Sequence, residues 1–188
     1  IDALGGGSGI VSDKSAIQFR MLNRSKGPAM WSPRTQNDRM VFAEEWRLLL
    51  EANENVDFWQ DMATGLIVEG GKAVGIRTGI GIDIKAKSVV LTNGTFLNGL
   101  IHLGEKQFGG GRAGEKAATG ITEDLIQLGF VAGRMKTGTP PRVDGRSLDY
   151  SKMEVQPGDD IPSKFSFGNT KALVCLLYTS DAADDLFR

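Results

Sequence analysis

The chain has 188 residues, with 22 Lys and Arg against 23 Asp and Glu for a net charge of −1, and it is 40% hydrophobic and 24% charged. This is the composition of an ordinary globular protein, and the 25 glycines, which follow no collagen period, indicate many tight turns and close backbone approaches. Its apolar runs are only a few residues long, too short to cross a bilayer, and Ile1-Asp2-Ala3-Leu4 has neither the basic start nor the apolar core of a signal peptide.

The chain opens without Met on Gly5-Gly6-Gly7-Ser8-Gly9, a run that suits either a flexible linker or a phosphate-cradling turn. An opening of this kind is expected of a truncated start. Residues 17–39 are punctuated by Pro28, Pro33 and Gly27 and read as a loop. Lys14, Arg20, Arg24, Lys26, Arg34 and Arg39 bring positive charge to it, with Phe19 and Trp31 interleaved. Such a loop can bind a phosphate backbone and stack on a base, or it can be a solvated loop held by arginine hydrogen bonds. Thr35 and Asp38 have nearly the spacing of a capping box. Phe42, Trp46, Leu49 and Leu50 follow on one face, which predicts a structural helix starting at Thr35 with Trp46 in the core.

A strand is expected over residues 56–60. Residues 65–69, 73–77 and 82–85, separated by glycine-containing turns, should form a small antiparallel meander. Residues 88–91 then read as a buried strand that stops at Thr92-Asn93-Gly94-Thr95. With no large side chain before Phe96, this turn lets backbone come close to a ligand, and Thr92 and Thr95 can hydrogen-bond to an anion or a ring nitrogen. In open α/β sheets ligands sit at the carboxyl ends of strands, so this turn is the candidate cofactor site, although an ordinary strand exit has the same composition.

His102, the only histidine, has apolar neighbours and reads as a packing residue. In Gln107-Phe108-Gly109-Gly110-Gly111-Arg112-Ala113-Gly114 the glycines expose amides and Arg112 supplies charge, a loop suited to a diphosphate or a flavin edge. Ile121, Leu125 and Leu128 mark a short helix stopped by Gly129. A strand is expected over 130–135, leading into Lys136-Thr137-Gly138-Thr139-Pro140-Pro141-Arg142, where the paired prolines present Lys136 and Arg142 to an anion. Residues 146–171 carry no motif. The run from Cys175 to Asp184 reads as the translation of a transposase adapter used to prepare sequencing libraries. Setting aside residues 175–188 removes one Arg and three Asp, leaving 21 basic against 20 acidic residues, and it also removes the only Cys.

Four blocks in order closely resemble the glucose-inhibited division protein A (MnmG) family. They are Gln18-Phe19-Arg20-Met21-Leu22-Asn23 through Ser25-Lys26-Gly27-Pro28-Ala29 with Arg34, Gln36, Asp38 and Arg39; Leu91-Thr92 with Gly94-Thr95-Phe96-Leu97; Gly110-Gly111-Arg112-Ala113-Gly114; and Lys136-Thr137-Gly138-Thr139-Pro140-Pro141-Arg142. The resemblance implies an α/β fold: part of an FAD-binding domain of the Rossmann-like, glutathione-reductase type, with an antiparallel β-meander and inserted loops. Residues 1–172 would be an internal part of that domain, with its first strand and dinucleotide glycine motif upstream, and 173–188 would not be native.

The resemblance further implies an FAD-dependent enzyme that adds a carboxymethylaminomethyl or aminomethyl group to carbon 5 of the wobble uridine of tRNA. It would work with an MnmE-family GTPase, without a membrane, and as a homodimer in full-length form. Methylenetetrahydrofolate would supply carbon and NADH would reduce the flavin. Its place would be the bacterial cytoplasm, or the mitochondrion in a eukaryote. By position in the family pattern, Ala63, Thr92, Gly94, Thr95, Gly109, Gly110 and Arg112 fall at the cofactor, and Lys26, Arg34, Arg39, Lys136 and Arg142 at tRNA or an active-site loop. The two cysteines of the family's chemistry are not in this chain, so no nucleophile is assigned. A folate-dependent tRNA methyltransferase paralogue and a non-catalytic nucleic-acid-binding module are the alternatives, and the Ser25-Lys26-Gly27-Pro28-Ala29 block argues against the first. Amplifying the locus from source DNA should yield a reading frame without the run from Cys175 to Asp184, and finding that run in the genome would make it native.

Overall fold

The computed structural model describes residues 1–138 and 143–171, so Arg142 and the adapter-like run lie outside the described residues. The chain divides into two compact units, Ile1–Asp57 with the described part of Thr139–Arg188, and Phe58–Gly138.

The first unit is built on α1 (Ser8–Ser15), β1 (Ala16–Leu22), β2 (Ser32–Asn37) and α2 (Arg39–Glu51). The glycines ahead of α1 serve packing. A Cβ on Gly7 would lie 2.6 Å from Leu49 Cδ2, and one on Gly9 would lie 3.2 Å from the Ser166 backbone, so glycine lets α1 approach both neighbours without displacing them. The expected loop over 17–39 is instead an antiparallel hairpin in which Phe19 faces Thr35 and Met21 faces Pro33. The prolines and Gly27 are confined to its connection and to β2, while β1 is the apolar strand. The helix begins four residues later than expected. Thr35 stays in β2, and Asp38 is the cap, its Oδ1 accepting from Met40 N at 2.8 Å and Val41 N at 3.1 Å. Phe42 and Trp46 pack edge-on with centroids 6.4 Å apart, although Trp46 is half-buried rather than enclosed.

Residues 156–170 hold this unit closed. Phe19, 1% exposed, meets Phe165 edge-on at 5.8 Å. Asp13 accepts from Phe165 N at 2.7 Å, Ser166 N at 3.0 Å and Thr170 Oγ1 at 2.6 Å, and Asp2 accepts from Ser166 Oγ and Phe167 N, both at 2.9 Å. Along β1, Gln18 Nε2 donates to Gln156 O at 3.1 Å, and Asp159 N donates to Phe19 O at 2.8 Å.

The second unit contains the expected meander, β3 (Ala63–Glu69), β4 (Lys72–Thr78) and β5 (Asp83–Lys85), in the order β3-β4-β5. Gly70 and Gly71, both at positive φ, make its first turn. A second hairpin joins β6 (Leu100–Leu103) to β7 (Lys106–Gly109), and α3 (Ile121–Gln127) packs on β3 and ends before Gly129 at φ 92°. Part of the segment expected as a glycine loop is therefore strand, and His102, on β6, is exposed rather than packed.

No strand forms at 56–60, 88–91 or 130–135. Their apolar composition meets the side-chain requirement of a strand, but a ladder also needs a second strand in register, and no sheet among the described residues includes them. Val90 is 81% exposed and Val131 fully so.

In the intact protein carrying this chain, Asp13→Ala should remove three hydrogen bonds to a carboxylate and destabilise the first unit by about 2–4 kcal/mol. Amide exchange at Phe165 and Ser166 would rise well above that of β4, whereas unchanged protection would mean that the segment is held by packing alone.

Candidate functional site

In the second unit the turn after Thr92 is fastened to the loop after β7. Thr95 Oγ1 donates to Gly111 O at 2.8 Å, and Gly110 N donates to Gly99 O at 3.0 Å. Asn98 N donates to Ala118 O at 2.8 Å, Ala118 N returns a bond to Phe96 O at 2.9 Å, and Leu97 and Ala118 form a parallel bridge. The chain then reaches Gly120, at φ 105°, where a Cβ would stand 1.9 Å from Thr64 O. Only glycine meets both demands there, and through it the start of β3, where Ala63 sits, is brought against the same framework.

Asn98 is a hub. It adopts a left-handed conformation at φ 47°, its Nδ2 donates to Glu123 Oε1 at 2.9 Å, and its carbonyl accepts from both terminal nitrogens of Arg134, at 3.2 and 3.3 Å. Its Oδ1 is the one buried side-chain polar atom among the described residues with no hydrogen-bond partner. Neither Asn98, Glu123 nor Arg134 was legible from sequence as part of a site, because each acts by joining segments far apart in the chain. Asp124 does the same, its Oδ2 accepting from Leu66 N at 2.7 Å. The Asn98 amide, with the Gly120 N–H at 2.8 Å behind it, holds the Glu123 carboxyl below its ordinary value.

The seven residues expected at the cofactor divide by what the structure does with them. Thr95, Gly110 and Arg112 buttress the framework: the Thr95 hydroxyl is given to Gly111, Gly110 is buried, and Arg112 is paired with Glu115 at 2.9 Å. Thr92, Gly94 and Gly109 are exposed, and a Cβ on either glycine would meet nothing within 4 Å. Ala63 is half-buried in β3, opposite Thr78. The exposed turn therefore offers a threonine hydroxyl and unobstructed backbone beside the apolar Val90 and Leu91, a neutral set of donors that fits the edge of a dinucleotide such as FAD.

The basic residues are divided between the two units. Lys26, Arg34 and Arg39 belong to the first unit, Lys136 is exposed in the second, and Arg142 lies outside the described residues. Lys14 is paired with Glu45 at 2.6 Å, Arg20 with Gln156 Oε1 at 2.6 Å and Arg24 with Asp159 at 2.7 Å, so at least three of the six cations read in the sequence have partners within the unit, although Lys14 and Arg24 remain exposed. Lys26 and Arg39 are exposed, whereas Arg34 is half-buried in β2 opposite Arg20. Phe19 is too buried to stack on a base, and Trp31, 48% exposed, is not. No group of three or more His, Cys, Asp or Glu able to hold a metal occurs among the described residues.

The described elements define a mixed helix-and-strand protein with antiparallel sheets. The family model described as glucose inhibited division protein A matches residues 1–179, and the chain belongs to that family. The tRNA uridine 5-carboxymethylaminomethyl modification enzyme MnmG of Cytophaga hutchinsonii is 70% identical over 194 aligned residues, and that of Christiangramia forsetii 68%. Each alignment takes in 100% of this chain and 31% of the relative, so the chain spans just under a third of those proteins. The solved structure of Aquifex aeolicus GidA in its form I crystal superposes with a TM-score of 0.80 at 46% identity, covering 88% of this chain and 28% of that one. The mixed fold with antiparallel sheets is thus the one found in GidA.

Because its pKa is lowered on folding, Glu123 contributes stability above the ordinary carboxylate value of 4.5 and loses it as pH falls through the folded value. Glu123→Gln should accordingly lower the unfolding temperature at pH 7 and flatten its fall on acidification, as measured by thermal unfolding from pH 7 to pH 3. A curve parallel to that of the unaltered protein would remove Glu123 from the framework.

Proposed function

We propose that this chain is part of an FAD-dependent enzyme that adds a carboxymethylaminomethyl or aminomethyl group to carbon 5 of the wobble uridine of tRNA. The observation that carries the reading is the 70% identity to a relative named for that modification, extending over the whole of this chain. An MnmE-family GTPase as partner, methylenetetrahydrofolate as carbon donor, NADH as reductant and a homodimeric assembly are part of the same proposal. A cytoplasmic setting is in keeping with the described helices, none of which is long and apolar enough to cross a membrane. The native part is proposed to end near residue 172.

Bound FAD would supply the two-electron redox chemistry. The residues that would hold it are Thr92 through its hydroxyl and Gly94 and Gly109 through backbone, with Thr95, Gly110 and Arg112 keeping those groups in place and Ala63 closing one side. A backbone contact at Gly109 accommodates a small side chain there, since that direction is open. Lys26 and Arg39 would meet tRNA phosphate, with Arg34 supporting the hairpin and Lys136 and Arg142 serving an active-site loop. No nucleophile is assigned to this chain, whose one Cys is Cys175.

The full-length protein should purify yellow and release FAD on denaturation, while the 188-residue chain alone should retain flavin poorly and modify no tRNA. A colourless full-length preparation that takes up no added FAD would overturn the cofactor assignment. Turnover by the short chain with the GTPase supplied would place the catalytic group within it.

A further inference from the structure

At the turn leaving β1, an arginine, a lysine and a tryptophan come together, and a carboxylate from the far end of the first unit fixes the arginine. Arg24 Nη2 donates to Asp159 Oδ2 at 2.7 Å, and the same oxygen accepts from Met21 N at 3.1 Å. Asp159 N in turn donates to Phe19 O at 2.8 Å. The side chain of Asp159 is 14% exposed and that of Arg24 61% exposed, so the carboxylate is the seated partner and the guanidinium the outer one. Trp31 Nε1 donates to Arg24 O at 3.3 Å, which ties the half-exposed indole to the same turn, and Lys26 stands exposed two residues on. Arg24 also borders an open cavity of about 410 Å³ lined by Pro157, Gly158, Asp159, Asp160 and Ile161.

We infer that Asp159 is a positioning residue that orients Arg24, so that Arg24, Lys26 and Trp31 form a docking surface for one single-stranded nucleotide of the tRNA. The inference rests on the tRNA reading given above and deepens it. The carboxylate occupies one edge of the guanidinium and leaves the remaining N–H groups for phosphate. An arginine already held in place loses less freedom on binding than one that must be ordered by the ligand. Lys26 adds a second phosphate contact, and the indole offers a face to a base. Pro157 and Ile161 supply apolar wall beside the cation.

Positioning and simple charge make opposite predictions for one variant. Asp159→Asn removes a negative charge from a basic turn, so long-range electrostatics alone would tighten tRNA binding. If Asp159 positions Arg24, binding in the full-length protein should weaken by roughly three- to tenfold, and the salt slope should fall by about one as a phosphate contact is lost. Asp160→Asn, with the same charge change on the same cavity, should leave binding unchanged or slightly tighter. Arg24→Gln should weaken binding as Asp159→Asn does, with no further loss in the double variant. Trp31→Leu should weaken binding without altering the salt slope.

Equal or tighter binding by Asp159→Asn, or an equal loss from Asp160→Asn, would overturn the inference. If Asp159→Asn shows no cooperative unfolding, Arg24→Gln decides, and normal affinity in that variant overturns it. Failure of the unaltered full-length protein to bind tRNA would sink the tRNA reading and this inference together. Normal binding by the unaltered protein and by Asp159→Asn would sink this inference alone.

Discussion

The first unit depends on carboxylates that accept hydrogen bonds from backbone more than a hundred residues away. Asp13 receives Phe165 N and Ser166 N, Asp2 receives Phe167 N, and Asp159 receives Met21 N. A charged acceptor on a backbone N–H forms a stronger bond than a neutral pair and satisfies a donor that would otherwise be stranded in the closed unit. The apolar content of the unit is modest, with Val11, Ala16 and Phe19 the buried hydrophobic residues among those described, so these polar ties help decide where residues 156–170 lie. Once they lie along β1, the outer edge of the hairpin is covered and Arg20 and Arg24 acquire fixed partners.

The second unit reaches the same end with shorter-range devices. Gly120 admits the Thr64 carbonyl, Asp124 receives Leu66 N, and Asn98 joins Glu123 to Arg134. The framework they make stands behind the turn at Thr92 and Gly94, whose exposed backbone is the proposed cofactor contact. A site built this way separates contact from support. Thr95 and Arg112 resemble ligand contacts in sequence because they are polar residues on glycine-rich turns, and in the structure they also tie the turns together through Gly111 and Glu115.

The same separation explains which parts of the basic region were legible. Composition shows six cations and two aromatic residues near one another, which is compatible with either RNA binding or a self-satisfied surface. The outcome is divided: Lys14, Arg20 and Arg24 are paired within the unit, Lys14 and Arg24 while still exposed, and Phe19 is core, whereas Lys26, Arg39 and Trp31 are exposed. Nothing within residues 14–39 announces this, because Gln156, Asp159 and Phe165 lie more than a hundred residues further along the chain.

What the sequence by itself determined is what depends on near neighbours. The meander β3-β4-β5 follows from alternating strands and glycine turns, the existence of α2, though not its start, from the spacing of Phe42 and Trp46, and α3 from Ile121, Leu125 and the stop at Gly129. The blocks that mark the family are local as well. Tertiary structure alone decided that residues 17–39 form a hairpin, that 56–60, 88–91 and 130–135 are not strands, and that a stretch without motifs, 156–170, closes the first unit. A strand exists only where a second backbone completes its hydrogen bonds, and a charge is exposed or internal only according to what folds beside it. Both are properties of contacts between residues distant in the chain, which no local pattern encodes.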